Sequence, residues 1–141
     1  MTGVIVLAVV VVLATAAGLL WRRFEGRVRT PVAAVDGRDV GALLAGLRID
    51  PSAADLTLVQ FSSAFCAPCR ATRQVLDRAA ATTPGLAHVE VDAESHLEQV
   101  RELSILRTPT TLAIDSTGRE LTRIVGLPKL ADVRALAAAV H

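Results

Sequence analysis

Aromatic residues are scarce in this 141-residue chain, and outside one short segment its acidic and basic residues are interspersed. Aromatic side chains make up 3% of the sequence, and the formal net charge is only +1. A nucleic-acid surface needs clustered positive charge, and single strands also need aromatic stacking partners. We therefore expect no nucleic-acid partner.

Cysteine is also rare. The chain has two cysteines, Cys66 and Cys69, with two residues between them. Structural zinc prefers four ligands, and no histidine lies near this pair in sequence, so a metal site would require two copies of the chain. We therefore expect no metal in one chain and expect its chemistry to be that of sulfur.

Charged residues are absent from Gly3 to Leu20, where valine, leucine, isoleucine and alanine dominate. At a rise of about 1.5 Å per residue, a helix of this length spans a hydrocarbon core of about 30 Å. Trp21 follows at the position of an interfacial aromatic residue. We therefore predict a transmembrane anchor over residues 1–21. The alternative is a cleavable signal peptide ending near Ala14-Thr15-Ala16, but no lysine or arginine precedes the apolar run.

The segment after this anchor is basic. Residues 22–30 contain four arginines and one acid, Glu25, for a local charge of +3, which leaves −2 for the remainder of the chain. Positive residues mark the cytoplasmic end of a membrane helix. We therefore interpret residues 22–31 as a basic tether and place the domain at residues 32–141 in the cytoplasm. Arginines that contact lipid headgroups would fit either side, so an extracytoplasmic domain stays open.

Both cysteines lie in the stretch Phe65-Cys66-Ala67-Pro68-Cys69-Arg70. Residues 56–61 predict a β-strand and residues 67–80 predict a helix, which places Cys66 at the first helical turn. The unpaired N–H groups and the positive dipole end of a helix stabilise a thiolate, the reactive form of cysteine. Cys69 lies one turn further on the same side, where it can attack a mixed disulfide formed on Cys66.

This stretch resembles the active-site motif of the thioredoxin family, in which an aromatic residue precedes Cys-Gly-Pro-Cys and a basic residue follows. The order of predicted elements through residues 56–140 is also similar to that family: strand, active-site helix, strand, helix, Thr108-Pro109-Thr110, hairpin, Gly126 and helix. The resemblance implies an α/β fold over residues 32–141, a thioredoxin-like mixed central sheet flanked by helices, with the transmembrane helix preceding it.

The sequence predicts a further set of elements, which are a strand at 32–35, a short helix at 39–47, strands at 87–92, 110–114 and 120–125, and a last helix at 130–140. Ser95 and Glu98 match a capping box, which predicts a helix from Ser95 to Leu103.

The resemblance also implies roles for single residues. Cys66 and Cys69 would be the catalytic pair, and their redox-active disulfide would take the place of any bound cofactor. In that family the proline matching Pro109 is a cis-proline packed against the dithiol; the alternative is an ordinary proline at a strand entry. A cis bond would turn the backbone of Thr108 toward Cys66 and offer hydrogen bonds to a substrate chain. The substrate-binding residues expected from the resemblance are Phe65, Ala67, Pro68, Thr108 and Pro109.

Several positions depart from the family pattern. Phe65 replaces the usual tryptophan and loses its N–H donor, and Ala67 replaces the usual glycine. Gln60 stands where thioredoxins typically have a buried aspartate that assists proton transfer at the second cysteine, and glutamine cannot titrate. A water chain or another group would then have to serve Cys69. His88 is either such a group or, as is more common for a lone strand histidine, a structural residue.

These observations favour an enzyme, a membrane-tethered thiol–disulfide oxidoreductase in which Cys66 and Cys69 reduce or exchange protein disulfides. Its expected partners are protein disulfide substrates, the membrane, and an unidentified electron donor that is either similar to thioredoxin reductase or a membrane thiol donor. One alternative is an extracytoplasmic reductase of the cytochrome-maturation type, because Thr108-Pro109-Thr110-Thr111 and Asp115-Ser116-Thr117-Gly118-Arg119 also resemble that branch of the family. The chain lacks the central insertion that this branch usually has between the active-site helix and Ser95. The other is a non-catalytic thioredoxin-fold binding module whose cysteines hold metal between two chains.

Overall fold

The computed structural model describes residues 2–24 and 38–140. In chain order these residues form α1 Thr2–Phe24, α2 Gly41–Gly46, a 3-10 helix Pro51–Ala53, β1 Leu56–Ser62, α3 Ala67–Thr82, β2 Leu86–Asp92, α4 Leu97–Glu102, β3 Thr110–Asp115, β4 Glu120–Val125 and α5 Leu130–Ala138. The strand predicted at 32–35 and most of the predicted tether lie outside the described residues.

A four-stranded mixed sheet in the order β2-β1-β3-β4 forms the centre of the fold. β1 pairs with β2 in parallel and with β3 in antiparallel orientation, and β3 and β4 form an antiparallel hairpin. All seven residues of β1 are buried. A strand covered on both faces needs a nearly continuous apolar sequence, which is what residues 56–61 provide apart from Thr57 and Gln60.

Two apolar cores lie on opposite faces of this sheet. On one face, Val59, Phe61 and Leu112 pack with Leu44 of α2 and with Leu103, which follows α4. On the other face, α3 and α5 cover the sheet, through the buried residues Leu58, Leu76, Ala79, Ala113, Val133 and Ala137. Fully burying a leucine or phenylalanine stabilises the fold by about 2 kcal/mol. Helices on both faces confirm the predicted thioredoxin-like α/β architecture, and the two cores make β1 a rigid base for the loop that follows it.

The predicted boundaries hold closely for the elements around the cysteines, whereas the helices predicted at 39–47 and from Ser95 to Leu103 both begin two residues later than predicted. β1 extends one residue and α3 two residues beyond the predicted ends. α4, however, begins at Leu97 and not at Ser95, and its N-cap makes no side-chain hydrogen bond. The Ser95 hydroxyl instead donates to the carboxylate of Asp92, which also accepts the backbone N–H of Glu94 at 3.0 Å. Because the Ser95 hydroxyl is hydrogen-bonded to Asp92, at the end of β2, it does not cap α4.

The apolar N-terminal segment forms α1, a helix of 23 residues whose described side chains are exposed. Among the residues that the structure describes, no helix is both long enough and apolar enough to cross a membrane. The helix predicted here is therefore confirmed, but the transmembrane span predicted over residues 1–21 is not supported. The orientation inferred from that span stays a prediction.

A buried ion pair holds the segment between α4 and β3. The Glu120 side chain is 2% exposed, and Arg123 donates to both of its carboxylate oxygens at 2.8 and 2.9 Å. The same guanidinium donates to the carbonyl of Leu103 at 2.8 Å. Carbonyls at the end of a helix lack partners within the helix, so Arg123 both neutralises a buried acid and fixes the end of α4.

Replacing Arg123 by methionine keeps the length of the side chain but leaves the buried Glu120 carboxylate without its partner. We expect the free energy of unfolding to fall by about 3 kcal/mol. Urea denaturation measures this, and Arg78→Met, on the exposed side of α3, is the matched control with a change of less than about 0.5 kcal/mol. Equal losses in the two variants would contradict the structural role of the pair.

Candidate active site

The junction of β1 and α3 positions both cysteines. β1 ends at Ser62, a short loop follows, and Cys66 is the N-cap of α3. The Cys66 sulfur accepts a hydrogen bond from the backbone N–H of Cys69 at 3.2 Å. The first N–H groups of a helix have no partner within it, so a sulfur at the N-cap satisfies one of them. Pro68 in the first turn has no N–H to satisfy.

Cys66 and Cys69 form a disulfide with a Cα–Cα distance of 5.2 Å. The two residues differ in access to solvent, because Cys66 is partly exposed and Cys69 is 2% exposed. A partner molecule therefore reaches the Cys66 sulfur first. This asymmetry suits a pair in which one cysteine reacts with a partner and the other attacks from inside.

Gln60 lies buried next to the second cysteine. Its Nε2 donates to the carbonyl of Cys69 at 3.0 Å and to the Ser62 hydroxyl at 2.8 Å. Among the described residues, its Oε1 has no hydrogen-bond partner. The amide therefore anchors the first turn of α3 to β1, a contact that the sequence did not indicate. A glutamine can do this because it donates, whereas a carboxylate at the same position only accepts.

A groove of about 470 Å³ lies beside the disulfide. Its walls are formed by Ser62, Ser63, Ala64, Cys66, Cys69, Arg70, Arg73, Glu90 and Asp92. Arg73, one turn after Cys69 on α3, forms an ion pair with Glu90, which is the partner of Gln60 across β1 and β2. Burial raises the pKa of the Glu90 carboxyl, but hydrogen bonding to Arg73 and Ser62 and the positive charge of Arg73 bring the pKa below its ordinary value. Glu90 is therefore ionised at neutral pH.

His88 is tied to α3 and not to Gln60. Its Nδ1 lies 2.7 Å from a carboxylate oxygen of Asp77, and its side chain is almost fully buried. His88 does not line the groove beside the disulfide. The contact joins β2 to α3, which favours the structural interpretation of His88 over a role at Cys69.

The peptide bond between Thr108 and Pro109 is cis, as the resemblance implied. Pro109 is buried, and its carbonyl accepts the N–H of Gly126 at 2.9 Å. Gly126 has a φ of +84°, a conformation that favours glycine. The Thr108 hydroxyl lies 3.0 Å from the hydroxyl of Ser63, in the loop that leads to Cys66. The structure thus brings the segment around Thr108 next to the disulfide loop, 45 residues earlier in the chain.

The other residues that the resemblance assigned to substrate binding surround Cys66 on the surface. Phe65 is 101% exposed, which means that its ring contacts little of the protein. Ala67 and Pro68 are exposed as well. These positions are accessible to a partner, and their contact with a substrate stays a prediction.

Sequence reasoning missed Ser63, Arg73 and Glu90. One signal was available for Arg73, because a residue four positions after Cys69 lies on the same side of a helix. Glu90 required the register between β1 and β2, and Ser63 required a contact between distant loops. Within residues 2–24 and 38–140, no group of three or more His, Cys, Asp or Glu side chains is placed to hold a metal ion.

A disulfide lies at the start of the helix that follows the central strand, and the loop before it contacts the residue that precedes a cis-proline. These features define a dithiol–disulfide site in a mixed α/β fold. Comparison with known proteins gives the family. Residues 49–139 match the family model described as Thioredoxin, so the chain belongs to the thioredoxin family.

Individual relatives agree with this assignment. The chain is 33% identical over 78 residues to a thioredoxin of Chlamydia trachomatis, which covers 55% of this chain and 76% of that protein. Desulfothioredoxin from Desulfovibrio vulgaris Hildenborough is similar in structure, with 28% identity, a TM-score of 0.55 and coverage of 62% of this chain and 84% of that one. Thioredoxin from Fasciola hepatica has 23% identity and shares the fold, with a TM-score of 0.59 over 71% of this chain and 94% of that chain.

The hydrogen bonds of the Gln60 amide lead to a prediction about stability. In Gln60→Glu the carboxylate faces the Cys69 carbonyl, which loses its donor, and carries a buried charge. We expect the free energy of unfolding to fall by about 2–3 kcal/mol at pH 7. The loss should shrink in acid, where the new carboxyl is protonated and donates once. Gln74→Glu on the exposed side of α3 is the matched control for urea denaturation; a loss as large in this control would contradict the anchoring role.

The ion pair in the groove predicts a pH-dependent contribution to stability. Because the pKa of Glu90 is lowered in the folded protein, its stabilising effect is present above the ordinary glutamate value of about 4.3 and is lost as the pH falls through the folded value. Glu90→Gln should therefore reduce stability near neutral pH, by less than about 1 kcal/mol because both side chains are partly exposed. Thermal unfolding from pH 7 to pH 3 should show the difference from wild type disappearing in acid. Glu98→Gln, at an exposed position of α4, is the control. A stability difference between Glu90→Gln and wild type that does not change with pH, or that is no larger than the difference for Glu98→Gln, would contradict the prediction.

Proposed function

We propose that this thioredoxin-family protein is a thiol–disulfide oxidoreductase that acts on protein disulfides, with Cys66 as the attacking cysteine and Cys69 as the resolving one. The observation that carries the proposal is the asymmetry of the pair. Cys66 is partly exposed at the N-cap of α3, whereas Cys69 is buried one turn inside. The family supports the general activity, and the substrate class is our inference.

The first step uses the reduced protein. The Cys66 thiolate attacks one sulfur of a substrate disulfide, a mixed disulfide forms, and the second substrate sulfur leaves as a thiolate that takes up a proton. The Cys69 N–H that points at the Cys66 sulfur would donate to the thiolate, and the α3 dipole favours the negative charge. Both interactions favour the thiolate over the thiol.

The second step closes the disulfide. Cys69 loses its proton and attacks the Cys66 sulfur, which forms the Cys66–Cys69 bond and releases the remaining substrate sulfur as a thiolate that is then protonated. Two electrons have passed from the dithiol to the substrate. The structure has the disulfide that this step produces. A thiol donor must then reduce the disulfide for another cycle, and we propose a second dithiol protein for this role.

A protein substrate would also need a binding edge. We propose that a substrate segment lies in an extended conformation along the Thr108-Pro109 segment while its sulfur reaches Cys66. The exposed side chains of Phe65, Ala67 and Pro68 would contact the residues that flank the substrate cysteine. An insulin-reduction assay with the purified protein and a thiol donor tests the activity as a whole.

Replacing Cys66 by serine should abolish insulin reduction, because the chain has no other thiol that a substrate disulfide reaches directly. The expected rate is that of the thiol donor alone. The protein should remain folded, which thermal unfolding checks against the reduced wild type. Turnover of this variant above the donor background would remove Cys66 from its proposed role.

Cys69→Ser should behave differently, because the first step survives and the second fails. We expect stable mixed disulfides between Cys66 and substrate proteins, visible by mass spectrometry and released by dithiothreitol. The double variant Cys66→Ser with Cys69→Ser is the control and should trap nothing. If Cys69→Ser forms no covalent adduct with a reducible protein disulfide, the two-step scheme is wrong.

A further inference from the structure

Ser63 forms a bridge between the two loops of the candidate active site. Its hydroxyl lies 3.0 Å from the Thr108 hydroxyl, and both side chains are partly buried. Ser63 precedes Cys66 by three residues, and Thr108 directly precedes the cis-proline. The bridge therefore connects the loop that carries the reactive sulfur to the segment that would pair with a substrate backbone.

Each of the two loops is also fixed to its own surroundings. In the first loop, the backbone N–H of Ala64 donates to the Glu94 carboxylate at 3.3 Å. In the second, the Thr110 hydroxyl donates to the Arg107 carbonyl at 2.7 Å, and the Pro109 carbonyl is held from the β4 side. Within residues 38–140, the Ser63–Thr108 contact is the only side-chain hydrogen bond that joins one loop to the other. The antiparallel pairing of β1 with β3, which ends at Phe61 and Thr110, brings the two loops together, and the Ser63–Thr108 contact continues that register two residues beyond the last pair. The contact therefore holds the loops in register where the strand pairing has stopped.

We propose that Ser63 is a positioning residue that holds the Thr108 backbone in register with the loop of Cys66 beyond the end of the β1–β3 pairing, and so favours extended protein disulfides over small disulfides. This inference rests on the proposed function. Ser63 touches neither sulfur by a hydrogen bond in the described structure; it acts through Thr108.

The physical reason is that the two kinds of substrate make different demands. A protein segment must present its sulfur to Cys66 and pair with the Thr108 backbone in the same complex, so a small change in loop spacing weakens its binding. A small disulfide needs only access to Cys66. A hydrogen bond of this kind between neutral groups changes an equilibrium by about fivefold when it is removed. The effect should appear in KM for the protein substrate and not in the reactivity of the sulfur.

The test compares insulin with the small aromatic disulfide DTNB as substrates of the reduced protein. For Ser63→Ala we expect kcat/KM for insulin to fall about fivefold, almost all of it through KM, while the rate with DTNB stays within about twofold of wild type. Ser63→Thr keeps a hydroxyl and should restore much of the loss. Ser116→Ala, in the exposed turn between β3 and β4, is the matched control and should change neither rate.

A second variant removes the same bond from its other end. Thr108→Val keeps the shape of the side chain without the hydroxyl and should show the same selective loss for insulin. Both changes remove the same contact. The double variant Ser63→Ala with Thr108→Val should therefore lose no more kcat/KM for insulin than the more impaired single variant. Multiplied losses in the double variant would overturn the bridge as the cause.

Two other outcomes would overturn the inference. An equal loss with insulin and DTNB would show that Ser63 supports the cysteine itself, and unchanged rates with both substrates would show that the contact has no role in recognition. Wild-type protein that reduces neither substrate would overturn the proposed function and this inference with it. An active wild type with an unaltered Ser63→Ala variant overturns the inference alone.

Discussion

The hydrogen bond from the Cys69 N–H to the Cys66 sulfur is the constraint on which the candidate site depends. It exists because Cys66 is the N-cap of a 16-residue helix, so that the sulfur takes the place of the oxygen that usually caps a helix. The same geometry puts Cys69 one turn inside, buried and within bonding distance of its partner. The central strand β1 fixes the start of this helix because both of its faces are packed. The chemistry of the pair therefore follows from how the strand and the helix are joined.

On the side of the groove, charged and hydroxyl side chains surround the disulfide. On the side of the sheet, Gln60 of β1 holds the backbone carbonyl of Cys69. Gln60 uses its amide hydrogens to hold Cys69 and Ser62, which makes it an anchor and not an acid or base. Charged groups also line the groove, where Arg73 neutralises Glu90. Gln60 cannot take up a proton from Cys69. The carboxyl groups of Glu90 and Asp92 line the same groove as Cys69, so water in the groove or one of these carboxyls would have to accept that proton.

Much of the fold could be predicted because its signals are local. The buried run of β1, the glycine-free α3 and the β3–β4 hairpin each follow from residues next to one another, and the cysteine pair locates the site. Contacts between distant segments could not be predicted. The Asp92–Ser95 bond moved the start of α4, the β1–β2 register placed Glu90 opposite Gln60, and the Ser63–Thr108 contact joins loops 45 residues apart. Composition alone predicted that the apolar N-terminal segment is a helix, which it is. The further prediction that this helix spans a membrane is not supported.

The most direct test of this account is alkylation of the reduced wild-type protein by iodoacetamide at pH 7, with the modified cysteine identified by mass spectrometry. Cys66 should be alkylated about tenfold faster than Cys69, because Cys66 is accessible and its thiolate is stabilised by the start of α3. The reaction at Cys66 should also be faster than that of a free cysteine peptide under the same conditions. Equal rates at the two cysteines, or faster reaction at Cys69, would contradict the assignment of Cys66 as the attacking residue.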